Sequence, residues 1–152
     1  MTIEGRLREL GIELPPVPAP VASYVPVAVA GGVAYVAGQV PFADGAPIAR
    51  GLLGREISVE EGAALARRCA LQALAALRAH LGSLERVVGI AKVTVFVASV
   101  EGFTDQPKVA NGASDLFTEV LGEAGAHARS AVGVAGLPLG VPVEVEVIAA
   151  LS

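Results

Sequence analysis

The chain has 152 residues, enough for one domain with a sizeable core; 53% are hydrophobic and 17% are charged. The apolar surplus is alanine and valine with no tryptophan, so surface is expected to be buried between copies of the chain as well as within one. A net charge of −4 without any basic run excludes the electrostatic footprint of a nucleic-acid binder, and the single Cys69 cannot form an intramolecular disulfide, which fits a reducing compartment.

Ile3, Leu7 and Leu10 share one face of a short helix over 3–10, which Gly11 stops. The opening MTIEGRLREL has acidic residues early and no apolar centre, so it does not read as a secretory signal; a cytoplasmic location is expected. Leu14 to Ala43 carries no charge, but six prolines and a Gly-Gly pair within it exclude a membrane-spanning helix. Its first part, Leu14 to Val21, is a proline-stiffened connector.

From Tyr24 the pattern turns to β. Two valine-rich runs around Gly31-Gly32 predict a hairpin with a tight turn. Residues 41–57 are expected to form a loop, packed down in part through Leu52, Leu53 and Ile57. Ser58 and Glu61 form a capping box, and a helix follows to Leu81 with Ala66, Ala70, Leu74, Leu77 and Leu81 on its buried stripe. Glu60, Arg67 and Arg78 belong to its wet side, and Cys69 is expected to be a buried, inert thiol. Gly82 ends the helix, and His80 in its last turn is suited to the helix-end carbonyls.

Val87 to Val97 is a strand that points Val93, Val95 and Val97 one way and Lys92, Thr94 and Phe96 the other. The valine face belongs under helices, and the mixed face suits a subunit interface or a cleft. A second helix spans Asp105 to Leu121, with Pro107 in its first turn, Val109, Leu116 and Val120 as its stripe, and Asn111 and Ser114 as polar exceptions. Ala128 to Ile148 then reads as a hairpin-like segment, two β runs joined by the connector from Leu137 to Pro142. The order β-β-α-β-α-β-β after a helical prelude predicts a single α+β two-layer domain over 1–152. Residues 1–22 form its N-terminal helix and extension, and a mostly antiparallel sheet carries two helices on one face.

Metal spacing is absent, because the chain holds one cysteine and two distant histidines, so no metal is expected. Nucleophile-elbow, phosphate-loop and dinucleotide fingerprints are also missing, and nothing in the sequence favours a Ser-His-Asp triad built on His127. What remains is the terminal stretch. Arg129 shares a strand face with Ala131, Gly133 and Ala135, small residues that leave room beside a guanidinium able to grip a carboxylate. Glu144 and Glu146 share a face of the last strand, where a carboxylate could act as base toward a water. Patterning alone leaves two readings open, a binding site at Arg129 or a salt bridge from Arg129 to Glu144 or Glu146.

The run from Arg129 to Pro138, RSAVGVAGLP, followed by Val143-Glu144-Val145, resembles the C-terminal signature of the Rid (YjgF/YER057c/UK114) family, many of whose members carry the name endoribonuclease L-PSP. Upstream, Ser23-Tyr24-Val25 with Gly38-Gln39-Val40-Pro41 resembles the family's first hairpin and turn. Lys92 to Val97 is similar to its central strand, and Val109-Ala110-Asn111 with Leu116-Phe117 to its second helix. The ordered set spans about residues 20–150. The sequence differs from common members at His127, where a proline or small residue is usual, and at Ala131, a cysteine in some deaminases, which marks a divergent branch.

The resemblance implies a chorismate-mutase-like α+β fold and a homotrimer with a central barrel and clefts between subunits. It also implies hydrolytic deamination of 2-aminoacrylate-type enamines and imines to 2-oxo acids and ammonia, without metal or cofactor. Arg129 would then hold the substrate carboxylate and Glu144 would activate the water, with Tyr24, Gly38 and Asn111 lining the cleft. His127, two residues before Arg129 on an extended chain, is placed either to enter that cleft or to sit at its rim bonded to backbone. Two further functions stand beside this one: a non-catalytic trimer that binds a small carboxylate metabolite, and an endoribonuclease, against which the acidic charge balance argues.

Overall fold

The computed structural model describes residues 1–19 and 23–152; Pro20, Val21 and Ala22, at the end of the proline-rich extension, lie outside the described residues. Thr2 accepts a hydrogen bond from the Gly5 amide and starts helix α1 (Ile3–Glu9), which buries Leu7 and ends one residue earlier than its apolar spacing predicts. Strands β1 (Val27–Ala30) and β2 (Val33–Gln39) pair antiparallel, Ala30 opposite Val33. Gly31 and Gly32 turn the chain at φ 58° and 74°, a conformation that favours glycine at both positions.

The region expected to be a loop contains a small hairpin, β3 (Phe42–Ala43) with β4 (Ala46–Pro47). Its turn is Asp44-Gly45, both at positive φ, a dipeptide that suits such a turn. The remainder is packed down as expected: Leu53 and Ile57 are buried, and Leu53 bridges to both Ile57 and Ser99.

Ser58 and Glu61 close the predicted capping box at the start of α2 (Val59–Leu81). The buried side of α2 is wider than the predicted stripe, because Gly62, Leu65, Cys69, Ala73, Ala75 and Ala76 join Ala66, Ala70, Leu74 and Leu77 in the interior. Alanine on so many faces lets α2 lie close to both the sheet and helix α3 (Gln106–Leu121). On the wet side Arg67 meets Glu119 of α3 at 2.8 Å. Helix α3 begins one residue after the predicted start at Asp105 and buries Val109, Ala110, Ala113, Leu116, Phe117 and Val120.

Strands β5 (Val87–Ala98), β6 (Ala128–Val134) and β7 (Val143–Leu151) complete a five-stranded sheet in the order β1-β2-β7-β5-β6. This corrects the hairpin-like reading of the terminal stretch. β6 and β7 do not pair; β5 runs between them, parallel to β6 and antiparallel to β7. The apolar run of β5 suits a central strand with partners on both sides, and α3 is the crossover that a parallel β5–β6 pair requires. The connector after β6 therefore spans β5 rather than forming a tight turn.

The layers follow from side-chain alternation. Val93, Val95 and Val97 of β5 and Val143, Val145 and Val147 of β7 are at most 1% exposed under α2 and α3. Lys92, Thr94, Phe96, Glu144, Glu146 and Ile148 stand on the opposite face, which neither helix covers. The result is the α+β two-layer fold with two long helices on one side. No helix among the described residues is long and apolar enough to cross a membrane.

Candidate active site

The parallel register sets Arg129 opposite Val93, so its side chain leaves the sheet on the helix-covered face. Gly133, two residue pairs further along that face, confirms the parity, since a Cβ there would meet the side chains of Gln106 and Ser99. The small residues expected beside Arg129 are present, and Ala131 packs against the core.

Helix α3 then takes hold of the guanidinium. Nη1 donates to Asn111 Oδ1 at 2.8 Å and to Ser114 Oγ at 3.0 Å, and Nη2 donates to the Pro107 carbonyl at 3.3 Å. The spacing of Pro107, Asn111 and Ser114 places all three on one stripe of the helix. Three of the five N–H groups of an arginine are thereby occupied, leaving Nε–H and one Nη2–H, the edge that takes a carboxylate in two parallel hydrogen bonds. Among the described residues no acidic side chain forms an ion pair with Arg129. The expected alternative of a salt bridge to Glu144 or Glu146 within the chain does not occur.

His127 lies on the same side. Its Nε2 is 2.9 Å from Ser114 Oγ, its Nδ1 is 2.6 Å from the Gly125 carbonyl, and its ring meets Phe117 edge-on at 5.9 Å. One ring nitrogen of His127 thus faces the Arg129 cluster and the other is bonded to backbone. A hollow of about 310 Å³ opens here, lined by Ser114, Asp115, Thr118, Ala126, His127 and Arg129. Ser114 was legible only as a polar exception on an apolar helix. Its spacing from Asn111 was the signal that the two share a task.

Glu144 occupies the other face. It is opposite Phe96 in the antiparallel pair, half-buried, and without a hydrogen-bond or ion-pair partner among the described residues. Burial holds its carboxyl above the usual carboxylate range, and the neighbouring charge of Glu146 adds to the effect. Gly38 lies directly against it: a Cβ at that position would overlap the Glu144 carboxylate, so only glycine leaves this group its place. Lys92 donates to Ser130 Oγ at 2.8 Å on the same face rather than to either glutamate. Tyr24 precedes β1 and is 60% exposed. One chain therefore places the predicted residues in two separate groups. Arg129, Asn111 and His127 are together on the covered side, and Glu144 and Gly38 are together on the open side.

Cys69 is fully buried, and burial, together with the charge of Glu144, pushes its thiol far above the ordinary range, so it is inert at neutral pH. Among the described residues, no three His, Cys, Asp or Glu side chains stand close enough to hold a metal ion.

Residues 4–151 match the family model described as "YjgF/chorismate_mutase-like, putative endoribonuclease", and the chain belongs to that family, whose other name is Rid. It is 46% identical over 151 residues to Protein TCP17 of Trypanosoma cruzi, across 99% of this chain and 94% of that protein. The crystal structure of Atu1372 from Agrobacterium tumefaciens, a protein of unknown function, superposes with a TM-score of 0.90 at 44% identity, covering 99% of this chain and 92% of that one. Escherichia coli TdcF, solved with bound serine, superposes with a TM-score of 0.64 at 28% identity, covering 90% of this chain and 94% of that one. The higher match to Atu1372 and TCP17 than to TdcF agrees with a divergent branch.

Proposed function

We propose that this protein hydrolyses reactive 2-aminoacrylate-type enamine and imine intermediates to 2-oxo acids and ammonia, in clefts between the subunits of a homotrimer. The observation that carries this reading is Arg129, held by three oxygens of α3 with one donor edge free and no acidic partner. A substrate carboxylate completes that fork. TdcF, with its bound serine, is a relative that holds a small carboxylate-bearing molecule.

The chemistry asks little beyond anchoring. Water adds to the imine carbon, the tetrahedral adduct passes its proton to nitrogen, and ammonia leaves as the carbonyl forms. Holding the substrate beside an oriented water supplies most of the acceleration. Glu144, unpartnered and with a raised proton affinity, is suited to take the proton from that water at neutral pH. Glu144 and Arg129 leave the sheet on opposite faces, so a second copy is needed to bring one half-site to the other. The mixed open face, with Tyr35, Phe96 and Ile148 beside Lys92 and Glu146, supports such an association. Asn111 and His127 then line the cleft from the arginine side, and Gly38 and Tyr24 from the glutamate side. Neither metal nor cofactor enters the reaction.

The test is ammonia release from 2-iminopropanoate and 2-iminobutanoate generated in situ by an amino-acid oxidase. Arg129→Ala should lower hydrolysis at least a hundredfold while the oligomer persists, and undiminished hydrolysis in that variant overturns the proposal. The free donor edge equally favours a second reading, a trimer that binds a small carboxylate without turning it over. Saturable binding of 2-oxobutanoate that needs Arg129, with no turnover across a panel of imines, would select it. An endoribonuclease, which the family description names, finds no support in the chain's charge of −4.

A further inference from the structure

Arg129 is the first member of a chain of hydrogen bonds whose proton order is fixed by its two ends. An arginine only donates, so Ser114 Oγ accepts from Nη1. At the far end a carbonyl only accepts, so the 2.6 Å contact to Gly125 places a proton on His127 Nδ1. A neutral imidazole with Nδ1–H has a bare Nε2, which can only accept at 2.9 Å, and the one proton of Ser114 goes there. Every polar atom from the guanidinium to the Gly125 carbonyl has one assigned role.

We propose that Ser114 and His127 are positioning residues that hold the Arg129 guanidinium with its Nε–Nη2 edge turned to a substrate carboxylate. The assignment rests on the reading of Arg129 as the carboxylate anchor. Nη1 is shared between Asn111 on α3 and this relay, and with Ser114 fixed by His127 the guanidinium plane cannot turn about its Nη2 contact to Pro107. The residue that marks this branch, a histidine two places before the arginine, acquires a task in the site rather than at its rim.

The experiment has a readout that needs no ligand and one that needs no turnover. Nitrogen-15 spectra of the imidazoles, with His80→Gln separating the chain's two histidines, should show the Nδ1–H tautomer of His127 at high pH; an Nε2–H tautomer overturns the relay. Calorimetry with 2-oxobutanoate should show Ser114→Ala and His127→Leu weakening binding about tenfold, with Ser114→Thr recovering it. His127→Gln, which keeps an acceptor where Nε2 stood, should recover binding. Wild-type affinity in Ser114→Ala and His127→Leu, or an affinity in His127→Gln as low as in His127→Leu, overturns the inference. A wild-type protein that binds no 2-oxobutanoate overturns the anchor reading and this inference with it. Binding with the expected variant pattern but no imine hydrolysis removes only the deaminase reading.

Discussion

The two faces of the sheet solve the same problem in different ways. On the covered face, valines of β5 and β7 meet the alanine- and leucine-rich sides of α2 and α3, and the chain supplies every contact they need. On the open face, alternate residues of the same strands present Lys92, Thr94, Phe96, Glu144 and Glu146, together with a Tyr35 that is 48% exposed. One strand thus carries a finished surface and an unfinished one. The finished face holds the core, and the unfinished face is where the proposed trimer would bring a second copy. Arg129 and Glu144 obey the same division: Arg129 is held from the helix layer, and Glu144 stands on the open side.

That contrast can be broken most severely from the covered face. Phe117 is fully buried and packs against both the core and the His127 ring. Phe117→Ala should cost about 3–5 kcal/mol in urea denaturation. A loss under 1 kcal/mol would mean that the helix layer is not the main source of stability.

On the open face the expected effect is on assembly, not on folding. Tyr35→Asp places a charge on an exposed β2 position and should change monomer stability by less than about 1 kcal/mol. Sedimentation should show the proposed trimer falling to one-third of its mass, and the proposed imine hydrolysis should fall with it. A trimer that survives Tyr35→Asp at micromolar concentration would refute the open face as the interface.

The smallest effect concerns Glu144. Its folded proton affinity is raised by burial and by Glu146, so folding favours the protonated acid. That contribution is fully present below the ordinary carboxylate pKa and is lost as pH rises through the raised one. Glu144→Gln, which stays neutral, should therefore gain on wild type as pH rises from 4 to 7. The gain should be under about 1 kcal/mol, because the group is half in solvent and screened. A difference that shrinks over that interval would contradict the assigned direction. Glu146→Gln should move the acid limb of the hydrolysis profile to lower pH by removing the neighbouring charge.

Local chemistry was readable wherever it was self-contained. The Gly31-Gly32 turn, the Ser58–Glu61 box and the Val93–Val97 alternation all depend on neighbours within a few residues, and each forms as its spacing predicts. The Asp44-Gly45 hairpin is equally local, but its signal is masked by the glycines and prolines around it. The pairing of the terminal strands was not legible. A six-residue connector suits a hairpin, and nothing local reveals that β5, more than thirty residues upstream, separates β6 from β7.

The sequence by itself determined the main helices and strands, most of the apolar faces that build the core and, through ordered motifs, the family. Alternation even put Arg129 beside small residues and Glu144 with Glu146, because side-chain parity along a strand is local. Tertiary structure decided how those parities relate between strands. Register with β5 sends Arg129 under α3 and Glu144 to the open face, and the helix packing brings Ser114 between Arg129 and His127. Hydrogen bonding across strands and helices fixes those relations, and its partners lie 13 or more residues apart, where no local pattern reaches.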